Sequence, residues 1–277
     1  VPLGLLVLGL MVGSFLNVVI YRLPLMMESR WRRDCCELLE LEQEKEEKRL
    51  NLATPNSHCP NCKAAIKPWQ NIPVLSYLFL AGKCANCGTR ISLRYPAIEL
   101  VTGLATLLLG CYFDASPALL GAMLLTWSLI TLTMIDFDHQ LLPDALTLPL
   151  LWLGLLFNIG GTYTSLQDAV LGALAGYLLL WSVYWLFKLI TGKEGMGYGD
   201  FKLLAALGAW LGWQALPLIV LLSSLVGALI GIGLIFLRRQ GRETPMPFGP
   251  YLAIAGWIAL LWGDGIMSRY LSALGAS

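Results

Sequence analysis

Hydrophobic residues in this chain come in unbroken runs rather than in the one-sided stripes of a water-soluble helix. Apolar stretches fall at roughly 1–20, 96–114, 117–135, 142–160, 168–188, 201–215, 216–237 and 250–267. Most approach the roughly 20 residues that carry an α-helix across a bilayer's hydrocarbon core. None carries the polar face that a soluble helical bundle requires. The pattern predicts an all-α polytopic membrane protein with about eight transmembrane helices. The sixth run, Phe201–Ala215, is short and rich in Ala, Gly and Trp, and Pro217 marks its junction with the seventh. The opening run lacks a basic n-region and a small-residue cleavage site, so it reads as a retained membrane helix rather than a signal peptide.

Composition agrees: 57% of the 277 residues are hydrophobic and 13% charged, against roughly 25% charged in a soluble domain. Where the charges fall then sets the orientation. Of 19 Lys and Arg residues, 12 lie in the segment 21–95. The turns near 114–117, 160–168 and 212–214 carry none. Lys188, Lys193 and Lys202 flank the fifth-to-sixth connection, and Arg238, Arg239 and Arg242 follow the seventh run. Basic residues favour the cytoplasmic side, and eight spans put all of these clusters there, with only Arg269 opposite. The predicted organisation is a first membrane helix at 1–20, a cytoplasmic domain at 21–95, and a seven-helix membrane domain at 96–277. No basic stripe with interleaved aromatics accompanies the net charge of +1, which argues against a nucleic-acid partner. Within Arg30–Leu50, ELLELEQEKEEKRL reads as a charged helix with leucines on one side. It is either a solvated insert or a surface that attracts a basic substrate.

Residues 58–88 contain HCPNC and CANCG separated by a 21-residue spacer. Cys59/Cys62 and Cys84/Cys87 thus form two C-x2-C pairs, which can set four thiolates around one zinc at about 2.3 Å. Pro60 stiffens the first knuckle, and Gly88 suits the positive φ of a tight second one. A disulfide or a dithiol redox pair is the alternative, but disulfides are rare in the cytosol. His58 adjoins the first Cys and reads as a bystander, and Cys35, Cys36 and Cys111 fit no metal spacing. Four Cys ligands close the coordination shell, so a catalytic zinc is excluded.

Charges near a membrane span call for explanation. Asp136 ends the third run in TLTMIDFDHQLLPDALT, and Asp200 begins the sixth in GKEGMGYGDFKLLAALG. They are 64 residues apart, yet an eight-span topology returns both to one membrane face. Two carboxylates in one confined site share a proton, which gives a general acid and a general base together. Such a pair activates water against a peptide carbonyl and protonates the departing amine. Gly197 and Gly199 let a substrate backbone approach closely. Spacing does not choose among Asp136, Asp138 and Asp144; Asp144 also reads as a helix cap, and so does Asp200. A transporter would carry its carboxylates at mid-span and show inverted repeats, neither of which is visible. A zinc-dependent assembly scaffold is a third reading.

Several segments, taken together, resemble the type IV prepilin peptidases, a family of bifunctional leader peptidases and N-methyltransferases. They are GSFLNVVIYRLP at 13–24, the CPNC and CANC pairs, ISLRYPAIEL at 91–100, IDFDHQLLPDALTLP at 135–149, GMGYGDFKL at 195–203 and PFGPYLA at 247–253. The resemblance implies that Asp136 and Asp200 are the protease pair and that the enzyme sits in the bacterial inner membrane. It also implies a prepilin or pseudopilin substrate, with a short basic leader cut after Gly and before Phe at the cytoplasmic face. The new amino terminus would then be methylated from S-adenosylmethionine. No residues are assigned to that donor: a G-x-G-x-x-G fingerprint is absent, and only the region around Gly82 and Lys83 is indicated. Oligomeric state is not indicated either.

Overall fold

A run of apolar residues with no polar interruption leaves the backbone only its own carbonyls to bond, and in this chain every such run is helical. The computed structural model describes residues 2–41, 50–238 and 247–273. Its helices are α1 (Pro2–Leu38), α2 (Leu75–Phe79), α3 (Arg94–Tyr112), α4 (Pro117–His139), α5 (Asp144–Asn158), α6 (Leu166–Thr191), α7 (Tyr198–Leu211), α8 (Leu216–Arg238) and α9 (Gly249–Ala273). Among the described residues there are no strands, only two isolated bridges, His58 to Ala65 and Lys83 to Arg90.

Six helices (α1, α3, α4, α6, α8 and α9) are long and apolar enough to cross a membrane. The chain is a multi-pass membrane protein. The other two expected spans, α5 and α7, have 15 and 14 residues. At 1.5 Å per residue they reach only about 21–23 Å, short of a hydrocarbon core of about 30 Å. For α7 the reason is enclosure: Phe201, Leu203, Leu204, Ala206, Leu207, Ala209 and Trp210 are wholly buried. A helix that meets protein on every side need not match the thickness of lipid.

Small residues let the neighbours of α7 come close. A Cβ at Gly172 on α6 would stand 2.3 Å from the Gly208 carbonyl oxygen, and one at Gly176 would stand 2.7 Å from that of Leu204. This is the small-xxx-small packing expected where apolar burial cannot distinguish protein from lipid. On the other side, the Trp210 indole N–H donates to the Leu150 carbonyl of α5 at 2.8 Å. The buried Asn158 amide donates to Ala209 and Trp210 at 2.9 and 3.0 Å, satisfying the last carbonyls of α7. These contacts fix the height and rotation of α7, and with them its first turn.

By their contacts the residues form two units, Val1–Cys111 and Tyr112–Ser277. By this grouping α3 belongs with α1, and residue 95 lies within the first unit. The two helices approach through Gly9 and Gly13, where a Cβ would lie 2.9 Å from Gly103 Cα and 2.7 Å from Glu99 Cα. The expected end of the first span at residue 20 also falls inside a helix. α1 runs on for 37 residues, about 55 Å, with Pro24 in its interior. The charged helix expected over Arg30–Leu50 is thus, up to Leu38, the end of α1; residues 42–49 lie outside the described residues, as do Arg239 and Arg242.

Candidate active site

Along α4, Leu125, Leu129, Leu132 and Asp136 recur at helical spacing, and all four are buried. The leucines turn that stripe inward and carry Asp136 with it, leaving 5% of its surface exposed. Asp138 and His139, rotated off the stripe, are exposed. Asp144 is exposed and bonds to the Lys202 ammonium at 2.6 and 2.8 Å. Of the three carboxylates that spacing left open, Asp136 is the buried one.

Asp200 lies in the first turn of α7 and is 6% exposed. Below it Phe201 sits among Tyr184, Tyr198 and Tyr177, at ring-centroid distances of 5.7, 5.4 and 5.9 Å. The Asp200 amide donates to the Gly197 carbonyl at 3.2 Å. One carboxylate oxygen, Oδ1, is buried with no partner among the described residues. Asp136 and Asp200 are near enough to interact electrostatically. Neither Asp144 nor Asp200 acts as a side-chain cap: the caps of α5 and α7 are Pro143 and Gly197, and neither helix has a side-chain cap bond. The positive end of the α7 dipole nevertheless favours a carboxylate at position 200.

Two residues without a local signal of their own, Gly249 and Leu142, complete the centre. The Gly249 amide, at the start of α9, donates to Asp136 Oδ2 at 3.0 Å. Leu142 packs between two glycines: a Cβ at Gly199 would lie 2.7 Å from Leu142 Cβ, and one at Gly249 would lie 3.1 Å from Leu142 Cδ1. Gly199 is therefore taken up by Leu142, whereas Gly197 is exposed, with its Cβ direction 3.8 Å from Asp200 Oδ2. Gly249 stands within the quoted PFGPYLA run, but its partner lies 113 residues away.

In the N-terminal unit the sulfurs of Cys59, Cys62, Cys84 and Cys87 all lie within 4.8 Å of one another, and this cluster can hold a metal ion. The Cys59–Cys87 separation is 3.8 Å, the edge of a tetrahedron with metal–sulfur bonds of about 2.3 Å. The two knuckles repeat one geometry. The Cys59 and Cys84 amides donate to Ala64 and Thr89 at 2.9 and 2.8 Å, and Lys63 and Gly88 take positive φ of 57° and 70°. The expected role of Gly88 holds. The knuckles also cross-link: Asn61 Nδ2 lies 3.8 Å from Cys87 Sγ, and Asn86 Nδ2 3.5 Å from Cys62 Sγ. The Thr89 hydroxyl, with the backbone amide of the same residue, holds the Cys87 thiol down at about 6. The Cys62 thiol is also lowered, chiefly by Asn86. Two thiols that ionise readily suit metal binding. His58 stands outside the cluster, its ring Nδ1 3.2 Å from the Asn56 carbonyl oxygen.

Fold and site together define a class: a polytopic helical membrane protein with a buried two-carboxylate centre in one unit and a four-thiolate metal-type cluster in the other. The family model for the bacterial peptidase A24 N-terminal domain matches residues 7–113, and that for the type IV leader peptidase family matches residues 123–232. This chain belongs to the type IV leader peptidase family. The prepilin leader peptidase/N-methyltransferase of Pseudomonas aeruginosa is 58% identical over 270 residues, 98% of this chain and 93% of that protein. The protein of that name from Aeromonas salmonicida is 59% identical over 268 residues, covering 96% and 92%. That from Neisseria gonorrhoeae is 52% identical over 267 residues, covering 96% and 92%. No solved structure matches the chain.

Proposed function

We propose that this chain is an aspartyl endopeptidase that removes the short basic leader of type IV prepilins or pseudopilins, with Asp136 and Asp200 as its catalytic pair. The observation that carries the reading is that two buried carboxylates from helices far apart in sequence interact, one of them with an oxygen that has no partner among the described residues. One aspartate takes a proton from water as the water attacks the scissile carbonyl. The other gives its proton to the departing amine. The Gly249 amide orients Asp136, so the free oxygen of Asp200 is left for water or substrate. Gly197, exposed beside Asp200, leaves room for the substrate backbone.

The distribution of Lys and Arg along the chain supports an orientation with the 21–95 segment and both aspartates on the cytoplasmic side, and the family resemblance implies the bacterial inner membrane. Cleavage there falls between Gly and Phe, and the exposed amino terminus is methylated. S-adenosylmethionine supplies an electrophilic methyl group when bound. The four cysteines hold zinc in a closed shell, and its role is to fold a segment too small for a core of its own.

The decisive experiment is mass spectrometry of a purified prepilin incubated with the enzyme, with and without S-adenosylmethionine. The expected products are a chain beginning at Phe and, with the donor, the same chain heavier by one methyl group. Asp136→Asn and Asp200→Asn enzymes leave the prepilin intact; either variant clipping it at the wild-type rate refutes the assignment.

A further inference from the structure

Arg22, on α1 two residues before Pro24, takes no part in the centres described above. It is 7% exposed, yet its guanidinium donates only to main-chain carbonyls. Nη1 reaches Asn51 at 2.9 Å and Leu52 at 3.4 Å, and Nη2 reaches Pro55 at 2.6 Å. Among the described residues no carboxylate pairs with it. A guanidinium withdrawn from water without a counter-charge is costly, and carbonyl dipoles offset that only in part.

The same side chain lines an open pocket of about 340 Å³ on the N-terminal unit, within the range of small-molecule sites. Its wall is divided by chemistry. Arg22, Asn56, Ser57 and Asn71 provide hydrogen-bonding groups, while Phe15 and Ile66 provide apolar surface. One cation in an otherwise neutral pocket that also offers apolar surface suits a ligand that combines a carboxylate with a flat ring. It also suits a ligand bearing its own positive charge away from that carboxylate, because a wall with several cations would repel it.

We propose that this pocket binds S-adenosylmethionine, with the donor's amino-acid carboxylate on Arg22 and its adenine against Phe15 and Ile66. The proposal rests on the methyl-transfer reading above. Arg22 matches the carboxylate through a fork that a lysine does not reproduce, and the amide and hydroxyl groups meet the ribose and the ring edge.

The test uses the full chain in nanodiscs of neutral lipid, with equilibrium dialysis of labelled S-adenosylmethionine. Arg22→Gln removes the charge. Asn71→Trp fills the pocket from its rim and leaves the carbonyl bonds of Arg22 in place. Each is expected to weaken donor binding by about tenfold or more, with leader cleavage and metal content unchanged. Wild-type donor affinity in either variant overturns the proposal. So does unchanged donor binding accompanied by lost retention of added phosphatidylglycerol in Arg22→Gln, which assigns the pocket to a lipid phosphate. A wild-type enzyme that neither binds the donor nor methylates overturns the methyl-transfer reading itself, which separates the two failures.

Discussion

Gly249 touches the centre with its amide and with its missing side chain, so Gly249→Ala disturbs the site by a single methyl group. The added Cβ would stand 2.6 Å from Asp136 Oδ2 and 3.1 and 3.2 Å from the two methyl carbons of Leu142. Carbon contacts settle at about 3.5 Å or more, so the carboxylate or the start of α9 has to move by about half an ångström or more. A displacement of about 1 Å in a reacting group costs about a hundredfold in rate, which places the expected loss in kcat between about tenfold and a hundredfold. Overpacking adds a loss of about 1–3 kcal/mol in stability. The assay is the rate of leader removal, followed by mass spectrometry, alongside thermal unfolding. Gly265→Ala on the same helix is the control, since nothing lies within 4 Å of its Cβ direction. It should cut at the wild-type rate and be unchanged or slightly more stable, by about 0.5–1 kcal/mol. A Gly249→Ala enzyme with wild-type rate and wild-type unfolding temperature would show that this contact does not hold Asp136.

Three further outcomes are expected. Asp200→Asn abolishes cleavage yet raises the unfolding temperature, because it replaces a buried carboxylate with an unpartnered oxygen by a neutral isostere; a lowered temperature contradicts this. Asp144→Asn cuts near the wild-type rate and loses no more than about 1 kcal/mol, the usual worth of an exposed ion pair; a catalytic defect would return Asp144 to candidacy. In metal-stripped protein at pH 7, iodoacetamide should modify Cys87 before Cys59. Cys87 titrates at about 6 and is a thiolate there. The Cys62 and Asn61 amides pull Cys59 down, but burial and the neighbouring thiols push it up overall, so it stays a thiol. Thr89→Val should slow Cys87 selectively, which peptide mapping would detect.

The long spans were legible because a bilayer demands uninterrupted apolar length, and α4, α6, α8 and α9 obey that demand over 21 or more residues each. α7 was legible as a helix but not in its extent, because a fully enclosed helix follows packing at Gly172 and Gly176 and not lipid thickness. The apolar run begins at Phe201, but α7 begins at Tyr198, so Asp200 lies inside its first turn and not at the cap. The continuation of α1 beyond residue 20 was hidden by its own chemistry: past the apolar run the helix turns polar, and a polar stretch with Pro24 reads as a new domain. The choice of Asp136 over Asp138 came from resemblance, yet a physical signal was present. Leu125, Leu129 and Leu132 already define the buried stripe, and only Asp136 continues it. Gly249 and Leu142 could not be joined to the centre from local pattern, since their partners come from other helices.

The crossed asparagines of the cysteine knuckles have a bearing on how that segment is built. Asn61 serves a sulfur of the second knuckle and Asn86 a sulfur of the first, so neither loop contains everything that it needs to hold its shape. Assembly is then reciprocal: a first knuckle folded alone leaves its last thiolate without its amide donor, and the second is in the same position. An ion held by all four sulfurs would fasten both ends of the intervening stretch, with α2 inside it, in one event.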